Sequence, residues 1–247
     1  MSENREMLID TAEAVFSESG HQGFAPVAEA GFASLLISEQ QGGFGGDWGD
    51  LFAVLRVAGG KAMCLPVGET IIAAKLLSDA GKPVPDGPLE LEDKPLGAFV
   101  RVAQAAGAMD AVLAMSVEHA NTRVQFGKPL AKFQAVQQSL ATLAVEAAAV
   151  NVAGAAAAAA LDRGDALFEI AAAKLRANIA IGIGTAIAHQ VHGAIGFTQE
   201  YPLHLLTSSL MRWRSEYGND AYWAGILGGQ ACARGGAGLW VEMTHRG

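Results

Sequence analysis

The chain has 247 residues, enough for one large domain or two small ones with a substantial buried core. It is 51% hydrophobic and only 17% charged, below the ~25% charged residues of an average soluble protein, so apolar surface is left over for an interface. A net charge of -8, without a run of Lys or Arg, excludes nucleic-acid binding.

The first residues are polar and amphipathic and lack a basic segment followed by an apolar one, so no secretory signal is expected and the reading is cytoplasmic. Amphipathic helices are predicted around residues 4–17, 50–61 and 69–80. Between the first two lies "EQQGGFGGDWG". Its Gly43, Gly45 and Gly46 do not form GxGxxG and no βαβ pattern surrounds them, so it reads as a loop needing permissive backbone rather than a dinucleotide site.

Residues 81–95, "GKPVPDGPLELEDKP", carry four prolines and an acidic cluster that oppose a long helix or a central strand. They divide the chain into an N-terminal helical region (1–81), a linker (82–95) and a C-terminal region (96–247). The linker is followed by an apolar stripe at helical spacing, Phe99, Val102, Ala103, Ala106, Met109, Leu113, Val117 and Ala120, which predicts a helix of about 26 residues stopped by "QFGKP". Further helices are predicted at 133–162, 166–189 and 206–227, with breaks at "DRGD", "HGAIGFTQEYP" and "GG". Four long helices with short connections make a bundle, and strand-like alternation is nearly absent, so the fold class is all-α. The alanine-rich run 146–162 contains Asn151 and falls short of the roughly 20 strongly apolar residues of a membrane span; it reads as a buried helix, with no membrane expected.

Generic site motifs are missing: no Walker A, HExxH, GxSxG or paired carboxylates. Cys64 and Cys232 stand apart as free thiols, and His189 and His192 share a helix face without a third ligand at suitable spacing, so no metal site is expected.

Two stretches are distinctive together: "TRVQFGKPLAKFQAVQ" at 122–137 and "HQVHGAIGFTQEYP" at 189–202. On these the sequence resembles the acyl-CoA dehydrogenase family over roughly residues 96–228, and "GFASLLISEQQGGFGG" at 31–46 looks like a glycine-rich loop of that family's first helical domain. The resemblance implies FAD, an acyl-CoA substrate, and proton abstraction by a carboxylate while a hydride passes to the flavin. It assigns Arg123, Gln125, Phe126, Leu130, Phe133 and Gln134 to the flavin of a neighbouring subunit. It assigns Gln190, Gly193 and Ala194 to a second flavin loop, where Ala194 departs from the family's glycine.

Two further departures matter. The family's β-barrel, between its helical halves, has only residues 82–95 in its place. The usual catalytic glutamate aligns with Tyr217 in "RSEYGN", and the alternative base position, before Arg101 in "FVRVAQAAG", is Val100. An unperturbed phenol, with a pKa near 10, is a poor base at neutral pH, and Glu216, one position early, is expected as a solvated helix residue. The pattern resembles a reduced, non-catalytic subunit of an α2β2 acyl-CoA dehydrogenase acting on bulky thioesters such as steroid side-chain intermediates. A full-length homologue would supply the base, with an electron-transferring flavoprotein as possible acceptor. The alternatives are a self-sufficient homo-oligomeric dehydrogenase using Glu216, and a non-enzymatic helical scaffold or regulator.

Overall fold

A computed structural model describes residues 3–245. The chain runs α1 (Glu3–Gln22), α2 (Ala25–Glu29), 3-10 turns at Phe32–Ser34 and Glu39–Gln41, α3 (Trp48–Gly60), α4 (Val67–Asp79) and α5 (Lys94–Thr122). It continues through β1 (Val124–Gln125), β2 (Lys128–Pro129), a 3-10 turn Leu130–Lys132, α6 (Gln134–Arg163), α7 (Leu167–His192), a 3-10 turn Gly193–Phe197, α8 (Leu203–Trp213) and α9 (Asp220–His245). Among the described residues the fold is all-α apart from one two-stranded hairpin, with Val124 opposite Pro129 and Gln125 opposite Lys128. Among the described residues there is no β-barrel; residues 80–93 join α4 to α5 directly.

Local chemistry sets the helix starts. Asp47 and Asp50 form a reciprocal capping box on α3, and Arg5 of α1 ties both carboxylates down, at 2.7 Å to Asp47 and 2.6 Å to Asp50. Asp93 caps α5 by accepting from the Leu96 amide at 2.8 Å, with Pro95 in the first turn. The glycine-rich loop is a compact hydrogen-bonded turn: the amides of Gly43, Phe44, Gly45 and Gly46 donate to carbonyls of Ser38, Ser34, Ile37 and Leu35. Gly42 and Gly45 take the positive φ that this tight return requires.

The central helix is α5, which packs on α3, α6, α7 and α8 around one continuous core including Phe99, Val102, Ala106, Met109, Leu143, Ile181 and Trp213. Small residues let backbones approach: a Cβ on Gly59 would meet the Gln104 carbonyl oxygen at 1.9 Å, and one on Gly107 would meet that of Arg56 at 1.8 Å. Of the predicted stripe only Val117 is exposed; Leu113 is half-buried and Ala120, at its end, is fully buried.

Two expectations need correction. The helix predicted at 206–227 is two helices, interrupted by a turn over residues 214–219 in which Tyr217 and Gly218 have φ of 55° and 110°. The helical pattern hid a break whose turn chemistry lies in Gly218 and Asn219. The Gly228–Gly229 pair does not end α9, whose non-helical residue is Gly235. Second, α5, α6 and α7 are each long and apolar enough to cross a membrane by length and composition, with 67%, 44% and 56% of their most apolar windows buried inside the protein. The alanine run fell short only when counted by itself; α6 extends over 30 residues.

Candidate functional site

The first candidate group sits where α5 ends. The Arg123 carbonyl accepts from the Leu130 amide at 2.9 Å, which closes the hairpin, and Phe126 takes a left-handed φ of 52° beside Gly127 at its tip. Phe126 is 91% exposed, its ring meeting Phe133 edge-on at 6.2 Å, and the Lys128 ammonium lies 4.3 Å from the Phe133 ring centroid. Arg123 and Gln125 are exposed, and Arg123 makes no ion pair among the described residues. Leu130 and Phe133 are half-buried and Gln134, at the first turn of α6, is exposed. An exposed aromatic next to an unpaired guanidinium is costly surface for an isolated chain and a suitable surface for an anionic, planar ligand or a partner.

The second group lies where α7 ends. Gly193 leaves the helix with φ 65° and ψ -143°, and Gln190, Gly193 and Ala194 are all exposed. His192 is buried: one ring nitrogen pairs with the Ala188 carbonyl at 2.8 Å and the other with the Tyr201 hydroxyl at 3.2 Å. The His192 ring stacks on His119, near the end of α5, at 4.5 Å. That stack brings the two motifs, far apart in sequence, to one end of the bundle. His189 stacks on Phe197 at 4.3 Å and pairs with the Thr207 hydroxyl at 3.0 Å. Burial lowers the pKa of both His119 and His189, and the neighbouring His192 lowers them further, as does Arg123 for His119. Among the described residues no group of three or more His, Cys, Asp or Glu side chains is placed to hold a metal ion.

The third group surrounds the other end of α5. Val100 is fully buried, its methyls against Gly68 of α4. Tyr217 lies over Gly97, and the Arg101 guanidinium faces the Tyr217 ring at 5.4 Å. Burial, then the Glu69 carboxylate, pushes the phenol pKa further up, away from any use as a base near neutral pH. Glu216 is not a solvated helix residue. It lies in the turn between α8 and α9, accepts from Arg101 Nε at 2.5 Å and pairs with Arg212 Nε at 3.2 Å. Sequence reasoning missed Glu69, a 5% exposed residue of α4 whose Oε1 accepts from Arg101 Nη2 at 2.5 Å while Oε2 is buried without a partner. Gln104 takes the remaining arm of the guanidinium at 2.7 Å. The only available signal was a lone carboxylate in the first turn of an otherwise apolar helix.

Both base positions and Glu216 therefore meet near Arg101, while all nine candidate flavin residues lie near Arg123. The two arginines are 22 residues apart, mostly along one unbroken helix, or roughly 33 Å at ~1.5 Å per residue.

Residues 96–230 match the acyl-CoA dehydrogenase C-terminal domain. The chain is 30% identical over 175 residues to an acryloyl-CoA reductase (NADH) of Anaerotignum propionicum, covering 70% of this chain and 43% of that protein. It is 37% identical over 108 residues to the acyl-CoA dehydrogenase IpdE2 of Mycobacterium tuberculosis, covering 44% of this chain and 33% of that one. The chain thus spans less than half the length of these curated relatives. In fold it is similar to a variant of the Tcur3481-Tcur3483 steroid ACAD, with a TM-score of 0.82, 18% identity, and coverage of 95% of this chain and 99% of that one.

Proposed function

The chain belongs to the acyl-CoA dehydrogenase family, and from that membership we propose that it is a subunit of an FAD-dependent acyl-CoA dehydrogenase that lends flavin contacts to a partner chain. The observation that carries this reading is the separation along α5. Residues suited to hold a flavin dinucleotide stand at one end of the helix, and the positions for a base stand at the other, about 33 Å away. A chain so arranged serves a neighbour's flavin rather than its own base.

The residues present fit the cofactor. Arg123 offers an unpaired guanidinium to a pyrophosphate, Gln125, Gln134 and Gln190 offer side-chain amides, and Gly193 and Ala194 expose backbone at a helix end without bulky side chains. Phe126, Leu130 and Phe133 supply apolar contact. Bound FAD supplies acceptance of the β-hydride of a CoA thioester. This chain's own residues supply no base for the accompanying α-proton: Val100 is aliphatic, Tyr217 is held protonated, and Glu216 is committed to two guanidiniums.

The partner in this proposal is a full-length homologue carrying the β-barrel and the base, in an α2β2 assembly. Its substrate is a bulky thioester, in keeping with likeness to a steroid ACAD. An electron-transferring flavoprotein is the proposed acceptor and the cytoplasm the proposed location. The test is Glu216→Gln in the purified complex: turnover is expected to stay within about threefold of wild type, and loss of turnover with flavin retained would transfer the base role to Glu216 and favour a self-sufficient enzyme.

A further inference from the structure

The turn over residues 214–219 is held from beneath by buried groups. Lys174 Nζ donates to the carbonyls of Trp213 at 2.7 Å and Arg214 at 3.1 Å, Asn178 Nδ2 donates to the Arg214 carbonyl at 3.0 Å, and Arg214 pairs with Asp220 at 3.1 Å. A turn fixed this firmly keeps Tyr217 in a left-handed backbone, a conformation that is unfavourable for a non-glycine residue. The outcome of that conformation is the position of the ring. It presses on α5 at Gly97, where even a Cβ would lie 2.3 Å from the ring carbons, and Arg101 flanks it.

The space left around Arg101, the residue that flanks the ring, is small. It amounts to about 190 Å³, lined by Glu69, Gln104, Arg212 and Glu216 together with Met63 and Leu65. Pockets for small molecules run to about 300–1,000 Å³ and are mostly apolar, so this remnant is too small and too polar for an acyl tail. An acyl group approaching α5 beside the two base positions would need the volume that the phenol occupies.

We propose that Tyr217 is a stopper seated on Gly97 that closes this chain's own acyl cavity, making the chain a flavin-contact subunit with no substrate site of its own. The inference rests on the family reading above, because that reading is what identifies the neighbourhood of Val100 and Tyr217 as an acyl site. The specificity determinant is a pair: the ring needs a residue without Cβ beneath it, and Gly97 without the ring would leave an open cavity.

The test uses the full chain and two small probes, neither of which depends on flavin or turnover. Glycine accepts the left-handed backbone without strain, so Tyr217→Gly removes the ring and leaves the turn intact; Tyr217→Asn, which also tolerates that conformation, serves as a second variant. Calorimetric titration with p-cresol, the detached tyrosine side chain, is expected to show binding at least tenfold tighter to both variants than to wild type. The N-acetylcysteamine thioester of butyric acid is expected to behave the same way. No gain of p-cresol binding by either variant would show that the ring fills no cavity and overturn the proposal. A gain for p-cresol without one for the thioester would overturn the acyl assignment and leave the family reading standing. Equal thioester binding by wild type would also refute the stopper. A cycle adds a stability readout: Gly97→Ala is expected to destabilise wild type but to be nearly neutral in the Tyr217→Gly background, and additivity of the two changes would contradict contact between ring and seat.

Discussion

Arg101 is clasped between two carboxylates, with Nη2 on Glu69 and Nε on Glu216, both at 2.5 Å, so one guanidinium joins α4, α5 and the turn after α8. Glu69 is almost wholly buried and its second oxygen already lacks a partner, so it depends on Arg101 for compensation. Arg101→Met is therefore expected to cost about 3–5 kcal/mol, the range for stranding one member of a buried ion pair. Glu216→Gln, at a more exposed site still able to accept a hydrogen bond, is expected to cost about 1 kcal/mol or less. Urea unfolding of the two variants measures the difference, and equal losses would show that Glu69 is not the dependent partner.

The α3–α5 contact relies on backbones with nothing between them. Gly107→Ala would push a methyl into the Arg56 carbonyl, and a loss of about 2–4 kcal/mol is expected. Gly60→Ala, one turn from the same crossing but with its nearest neighbour at 3.5 Å, is the control and is expected to be neutral or slightly stabilising through helix propensity. Thermal unfolding separates the two outcomes.

Lys174 gives a pH signature. Burial lowers its pKa from 10.5 to about 8, so between those values the unfolded chain holds a proton that the native chain has released. Stability then rises with pH from about 8 toward 10.5, and it is lost as pH falls back through 8. Unfolding free energies measured from pH 8 to 10 are expected to show this positive slope in wild type and a flatter one in Lys174→Met. The variant is also expected to be less stable at pH 8, since the carbonyls of Trp213 and Arg214 lose a donor.

At the opposite end of α5 the sign of the acid response follows from His119 and His189. Both have lowered pKa values in the folded chain, so on acidification below about 6.5 the unfolded state takes up protons first and stability falls. His119→Gln is expected to flatten part of that slope, because burial first, then the neighbouring His192 and the Arg123 charge, disfavour the cation.

The helices α5, α6 and α7 were legible because their long apolar runs stop at glycine or proline signals, as "QFGKP" shows after α5. The break at 214–219 was not, because Arg214, Ser215 and Glu216 are compatible with a helix and the interruption is fixed by Lys174 and Asn178 from another helix. The two distinctive stretches and the chain breaks inside them are visible in the sequence, but the hairpin at the first is not, and their meeting at one bundle end depends on His119 and His192, 73 residues apart. Glu69 and Arg101 form their pair across the Pro-rich connector, a long-range contact that no spacing rule reveals.

The most direct measurement is FAD per chain, from visible absorbance, for this protein purified alone and for the complex obtained by co-expression with a full-length acyl-CoA dehydrogenase homologue. The proposed function predicts little or no flavin on the chain alone, flavin on the complex, and at least a tenfold weaker retention of that flavin in complexes carrying Arg123→Ala. About one FAD per chain on the protein alone, with acyl-CoA turnover abolished by Glu216→Gln, would contradict it and identify a self-sufficient enzyme.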